Sequence, residues 1–181
     1  MSKTILVLTG SPRQGGNSDI MAEAFIQGAQ SRGHRILRFD AGRKNVTGCV
    51  ACKTCFSTGH PCSWQDDFEE FASCLQQADT LAIFTPLYWF SFPAQVKATI
   101  DKMYSFFCSG TELPVKESFM VICCELPDPS ACDGAVTTYR KIADIMKWED
   151  RGHIVVPGVG EPGDVLRTPA VDGMRRIGEA I

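Results

Sequence analysis

Two groups of residues in this 181-residue chain have the types and spacing to do chemistry. The first is Gly10-Ser11-Pro12-Arg13-Gln14-Gly15-Gly16-Asn17-Ser18, which reads as an anion cradle. Ser11 and Ser18 supply hydroxyl donors, and Arg13 supplies a guanidinium fork, the strongest side-chain partner for a phosphate dianion. Gly10, Gly15 and Gly16 permit positive φ and close approach of a ligand to the backbone. Asn17 or Ser18 is placed to cap a following helix whose free N–H groups face the loop. The glycine spacing is not G-x-G-x-x-G and no G-K-[ST] follows, so the expected anion is a monophosphate. An ordinary Gly/Ser/Asn-rich turn is the competing reading.

The second group is Cys49-x2-Cys52-x2-Cys55-x6-Cys62. Four thiolates this close in a loop can point at one centre, and the first three have the tight spacing that holds three irons of a [4Fe–4S] cluster. Two other readings compete: reduced thiols that only pack or react, and a structural zinc site with His60 as an alternative ligand. The C-x2-C-x2-C triplet suits zinc less well, because structural zinc sites usually pair two separated C-x2-C units. Nine cysteines in such a chain argue for thiols, metal ligands or redox chemistry over a disulfide framework. Cys74, Cys108 and Cys123 fall in a helix, just after one and in a strand, and are expected as small buried residues. His34, His60 and His153 form no nucleophile–base arrangement.

The elements that must position these groups alternate along the chain. Apolar runs at Thr4–Thr9, His34–Phe39, Thr80–Thr85, Phe119–Cys124 and Gly152–Val156 read as buried strands. Helices are expected from Asp19 to Ser31, from Asp66 to about Gln77, from Pro93 to about Phe107 and from Asp133 to Trp148, with a short last one after Pro169. The segment from Ala41 to Gln65 is too long for an ordinary connection and is expected to be functional. Five strands alternating with helices imply an α/β, doubly wound, five-stranded parallel sheet in three α/β/α layers, a single domain over 1–181 with a cysteine-rich insertion at about 45–65. The net charge of −3, with signs evenly mixed, gives no stripe for nucleic acid. The first apolar run is too short for a signal or a membrane span, so a soluble cytoplasmic protein is expected.

In a doubly wound sheet, ligands bind outside the carboxyl ends of the strands at the switch point. That rule joins three loops into one site: Thr9–Ser18, Thr85–Phe92 and Cys124–Asp133. The middle loop, Pro86-Leu87-Tyr88-Trp89-Phe90-Ser91-Phe92, carries four aromatics and suits a flat conjugated ring, with backbone N–H groups after Pro86 placed to bond the ring's polar edge. Alternatively these aromatics are core or a dimer contact. A monophosphate and a flat ring together point to FMN.

G-S-P-R-x-x-G-N-S after the first strand, T-P-x-Y-W-x-x-x-P-A-Q-x-K-x-x-I-D-K after the third, and R-G-x-x-x-x-P-G-V near the end resemble the flavodoxin-like FMN-dependent NAD(P)H oxidoreductases. The resemblance implies that Ser11, Arg13, Asn17 and Ser18 hold the FMN phosphate, and that Pro86, Leu87, Tyr88 and Trp89 line the isoalloxazine together with Cys124 and Glu125. It implies hydride transfer from NAD(P)H to the flavin and passage of electrons to a flavin, quinone or similar acceptor, with the flavin supplying the chemistry and no catalytic side chain. Lys97 and Asp101 match the pattern but read as a structural i,i+4 ion pair. The cysteine loop is similar to that of iron–sulfur flavoproteins, which implies an electron carrier fed by a ferredoxin-like partner through a [4Fe–4S] cluster at Cys49, Cys52, Cys55 and Cys62. A homodimer or higher homo-oligomer is expected by the same resemblance.

Overall fold

The computed structural model describes residues 2–181. Strands β1 (Thr4–Thr9), β2 (Arg35–Asp40), β3 (Thr80–Pro86), β4 (Glu117–Cys123) and β5 (Glu149–Val156) pair in parallel in the order β2-β1-β3-β4-β5. β1, β3 and β4 are buried almost throughout because helices cover both faces, which is why they read as unbroken aliphatic runs. Alternate side chains divide the core. Ile5, Val7, Ala82, Phe84 and Val121 face α1 (Asn17–Ser31) and α6 (Ala170–Ala180). Leu6, Leu8, Leu81, Ile83, Met120 and Ile122 face α2 (Phe68–Leu75), α3 (Ala94–Lys102), α4 (Tyr104–Ser109) and α5 (Asp133–Ile145). This is the expected flavodoxin-like architecture, with its switch point between β1 and β3.

α1 and α6 approach closely through two glycines. A Cβ on Gly28 would lie 2.1 Å from the Arg175 carbonyl oxygen, and one on Gly178 would lie 2.2 Å from that of Phe25. Neither neighbour is a flexible side-chain end, so Gly28→Ala must push the helices apart. It is expected to lower stability by about 1–3 kcal/mol, read as the thermal midpoint of the ligand-free protein. An unchanged midpoint would show that the two helices have slack.

Element boundaries depart from the sequence reading where tertiary contacts intervene. The expected helix from Pro93 to Phe107 breaks at Met103, where the Met103 N–H bonds the Ile100 carbonyl and the Phe106 N–H bonds the Met103 carbonyl, the tighter three-residue spacing. β5 starts at Glu149, not Gly152: Glu149 and Asp150 are exposed and hydrophilic yet pair with Glu117 and Ser118 of β4, ahead of an irregularity between Ser118 and Met120. α5 ends at Ile145, and Lys147 takes a left-handed φ of 58° to turn the chain into that strand. Among the described residues no helix is long and apolar enough to cross a membrane.

Candidate functional site

β1 delivers the chain to the cradle, and α1 begins at Asn17. Gly16 occupies the cap position, with no side chain capping the helix, which corrects the expectation for Asn17 and Ser18. The Asn17 amide is used elsewhere: it donates to the Glu161 carbonyl at 2.9 Å and accepts from the Val165 N–H at 3.2 Å. The Ser18 hydroxyl, in a residue only 1% exposed, has no partner among the described residues. Buried hydroxyls without a partner are rare and costly, and this one borders a cleft beside the free N–H groups of a helix N-terminus.

Neighbouring elements make the cradle rigid. The Ser11 hydroxyl accepts from the Arg13 N–H at 3.1 Å, and the Asp19 carboxylate accepts from the Gly15 N–H at 2.8 Å. Asp19 and Glu23 are both paired with Arg38, which also donates to Asp40 at 2.7 Å. Asp40 accepts from the Thr9 hydroxyl at 2.7 Å. Burial would raise the Asp40 carboxyl, but the Thr9 hydroxyl and the Arg38 and Arg43 guanidiniums hold it below its ordinary value. After β2 the short turn Ala41–Arg43 lies so close that a Cβ on Gly42 would sit 2.5 Å from the Ser11 backbone. Arg13 itself is exposed at the cleft. Among the described residues carboxylates engage Arg38, Arg43, Arg151 and Arg167 but not Arg13.

The aromatic segment is a two-residue hairpin. Tyr88 and Ser91 exchange backbone hydrogen bonds of 2.9 and 3.0 Å, leaving Trp89 and Phe90 at the tip with φ of 46° and 64°. Such turns ordinarily use Asn-Gly, because both central residues are left-handed. The replacement Trp89→Asn with Phe90→Gly is therefore expected to raise stability by about 1 kcal/mol, measured by denaturant unfolding; a loss would mean that the aromatic tip packs more firmly than its exposure shows. Trp89 is 92% exposed and Phe90 58%, whereas Phe92 is 5% exposed and belongs to the core. The Leu87 N–H is consumed by the Cys123 carbonyl at 2.7 Å, and Tyr88 and Ser91 spend theirs on each other, so among the described residues the N–H groups after Pro86 that lie outside these pairs are those of Trp89, Phe90 and Phe92.

All ten residues expected at a cofactor line one cleft of about 300 Å³: Ser11, Arg13, Asn17, Ser18, Pro86, Leu87, Tyr88, Trp89, Cys124 and Glu125. The rest of the third loop, through Asp133, is not part of the lining. In its place the segment after β5 contributes Val159, Gly160 and Pro162, and Cys123 adds to the wall. The signal for that fourth loop was the P-G-V run after Arg151-Gly152. Glu125 fits only because residue 160 lacks a side chain: a Cβ there would be 2.9 Å from the Glu125 Cγ. Burial pushes the Cys123 thiol up to about 12, so it is an inert wall residue. The cleft suits a molecule with an anionic end at the α1 N-terminus and a flat part against the hairpin.

A second cavity, of about 380 Å³, is lined by Cys49, Cys52, Cys55 and Cys62 together with Trp64, Lys102 and Ser105. The loop's neck is tied shut. Thr47 donates to Asp66 from its N–H at 2.9 Å and its hydroxyl at 2.7 Å, and Lys102 Nζ reaches the same Oδ2 at 2.5 Å. Left-handed Ala51, Lys53 and Phe56 flank the thiols. The Thr54 hydroxyl, 3.0 Å from the Cys52 sulfur, draws that exposed thiol below its ordinary value. Among the described residues, however, no three His, Cys, Asp or Glu side chains converge as a metal-ligand set. His60 is paired with Glu69 at 3.3 Å. Lys97 and Asp101 form the exposed i,i+4 pair, at 2.5 Å. Cys123 is buried as expected and Cys74 half-buried, but Cys108 is exposed, because α4 ends just beyond it at a left-handed Gly110 and leaves its last turn at the surface.

The profile of the NADPH-dependent FMN reductase family matches residues 4–148. The chain belongs to that family. A curated relative, an iron–sulfur flavoprotein of Archaeoglobus fulgidus, is 29% identical over 96 residues, covering 53% of this chain and 43% of the relative. The iron–sulfur flavoprotein of Methanosarcina thermophila is 30% identical over 95 residues, covering 52% and 49%. These matches thus span about half the length of the curated relatives. Among solved structures, an NAD(P)H:quinone oxidoreductase from Methanothermobacter marburgensis superposes with a TM-score of 0.81 at 19% identity, covering 99% of this chain and 96% of that one. At that identity the likeness shows the fold of this FMN reductase family member and no more.

Proposed function

We propose that this chain binds FMN in the cleft between the cradle and the aromatic hairpin and passes electrons from NAD(P)H through it to a flavin, quinone or other small acceptor. The observation that carries the reading is the buried, unpartnered Ser18 hydroxyl beside the free N-terminus of α1. A phosphate there would receive the Ser18 and Ser11 hydroxyls, the first N–H groups of α1 and the Arg13 guanidinium. FMN, when bound, supplies hydride acceptance and electron release. The chain would bind and orient it: Pro86, Leu87, Tyr88, Trp89, Cys124 and Glu125 line the part of the cleft that would hold the flat ring. No side chain has to move a proton.

The test is titration of ligand-free protein with FMN, followed by flavin fluorescence, and then oxidation of NAD(P)H. Failure to bind FMN overturns the reading. Ser18→Ala separates cradle from scaffold, because it removes a hydroxyl that costs stability when unpaired. It is expected to stabilise the ligand-free protein by about 1 kcal/mol while weakening FMN about tenfold. If both quantities fall together, Ser18 is a packing residue.

A second reading is favoured by one observation: the four loop thiols border a single cavity. In that reading the protein is an iron–sulfur flavoprotein, taking electrons from a ferredoxin-like partner through a [4Fe–4S] cluster held by Cys49, Cys52, Cys55 and Cys62. The relatives' names support it, and the loop would have to close for the thiols to meet. Anaerobic preparation should then give iron close to four per chain. Stoichiometric zinc or no metal ends that reading and leaves the first intact.

A further inference from the structure

We propose that the Glu125 carboxylate sets the redox potential of the bound flavin, holding it lower than a neutral side chain would. The inference rests on the FMN reading above and adds to it a role for charge. Of the residues that line the cleft only Arg13 and Glu125 are charged, and they come from different loops, after β1 and after β4. The backbone on either side of Glu125 is anchored. The Val159 N–H donates to the Cys124 carbonyl at 2.9 Å, and the Gly158 N–H donates to that of Leu126 at 3.0 Å. The side chain then runs over the bare backbone of Gly160, where a Cβ would meet its Cγ at 2.9 Å and its carboxyl carbon at 3.3 Å. The N–H groups of Gly160 and Glu161 are already used, since both donate to Asp164, at 3.1 and 2.9 Å. Among the described residues ion pairs take Glu23, Glu69, Glu70, Glu117 and Glu149 but not Glu125. The cleft thus carries a fixed carboxylate with no counter-charge.

A hydride carries two electrons and one proton. The neutral isoalloxazine that accepts one from NAD(P)H, leaving NAD(P)+, therefore gains one negative charge. A fixed negative charge beside it disfavours the reduced form and not the oxidised one, more strongly once the bound ring has displaced the water of the cleft. Affinity and potential are linked: each tenfold by which reduced FMN binds more weakly than oxidised FMN lowers the two-electron potential by about 30 mV. Glu125→Gln keeps the shape of the side chain and removes its charge. It should narrow the ratio of the two dissociation constants about tenfold, which raises the potential by about 30 mV.

The experiment uses the full chain loaded with FMN, reduced stepwise with dithionite under anaerobic conditions beside a dye of known potential, and followed by flavin absorbance. Glu125→Gln should raise the midpoint potential above that of the wild type, and Glu125→Lys should raise it further, an order that follows charge and that a packing role would not produce. Affinity for oxidised FMN, titrated separately, should change less than affinity for reduced FMN. The readout needs neither NAD(P)H nor an acceptor, so a variant that turns over slowly still reports. An unmoved or lowered potential in Glu125→Gln, or two variants that move it in opposite directions, overturns the proposal. Failure of the wild type to bind FMN overturns the FMN reading and this inference with it, whereas binding with a potential indifferent to residue 125 overturns this inference alone.

Discussion

Lys102→Met is expected to destabilise the protein by about 3–5 kcal/mol, the largest loss of any change considered. Lys102 is 2% exposed in its side chain and Asp66 5%, and they meet at 2.5 Å. Removing the ammonium leaves a buried carboxylate whose remaining partners are the Thr47 N–H and hydroxyl and the Phe68 N–H. Asp66 → Asn in the same chain should recover part of the loss, because it removes the stranded charge.

The effect has a pH signature. Burial alone would raise the Asp66 carboxyl, but the Lys102 ammonium, the Thr47 hydroxyl and N–H and the Phe68 N–H hold it below the ordinary 3.8. A carboxyl lowered in the folded state binds fewer protons than in the unfolded chain. Its contribution is therefore complete above pH ~4 and is lost as pH falls through the folded value. Wild type and Lys102→Met should differ most near neutrality and converge in acid. A constant gap from pH 7 to pH 3 in urea unfolding would show that the pair matters only as packing. Because Asp66 and Thr47 close the neck of the cysteine loop, the variant should also be cut by protease within residues 47–66 before the rest unfolds.

How far the sequence carried the site depends on what each residue needed. The five strands announced themselves because burial on both faces forces unbroken aliphatic runs, and the all-parallel order then placed three loops at one switch point. Ser11, Arg13, Pro86 and Tyr88 are read from their donor and aromatic chemistry on those loops and from the family resemblance, and the structure puts all four on one cleft. What could not be read were contacts between distant segments. Nothing near Asn17 shows that its amide is claimed by Glu161 and Val165, or that Gly160 is what admits Glu125. The break at Met103 and the exposure of Cys108 likewise come from how α4 meets its neighbours, and helical periodicity runs through both unchanged. The hairpin shows the opposite failure: local rules argue against Trp-Phe at a left-handed tip, and the structure uses it regardless.

Arg13→Ala is expected to weaken FMN binding by about 10- to 150-fold, the worth of a charge-assisted phosphate contact at about 1.5–3 kcal/mol, while leaving the thermal midpoint of the ligand-free protein unchanged. The two halves of that expectation have separate grounds. Affinity should fall because Arg13 is an exposed guanidinium on the cleft that no carboxylate neutralises among the described residues, unlike Arg38, whose charge is consumed in holding Asp19, Glu23 and Asp40. Stability should hold because the loop's shape comes from backbone and neighbours: the Arg13 N–H bonds Ser11, the Arg13 carbonyl accepts from the Gly16 N–H at 3.2 Å, and the turn around Gly42 supports the loop from outside. Arg13→Lys should restore only part of the affinity, since an ammonium keeps the charge but not the two-pronged geometry. Riboflavin, which lacks the phosphate, supplies the control: wild type and Arg13→Ala should bind it equally. A matching loss for riboflavin would place Arg13 against the ring, and unchanged FMN affinity would remove it from the site.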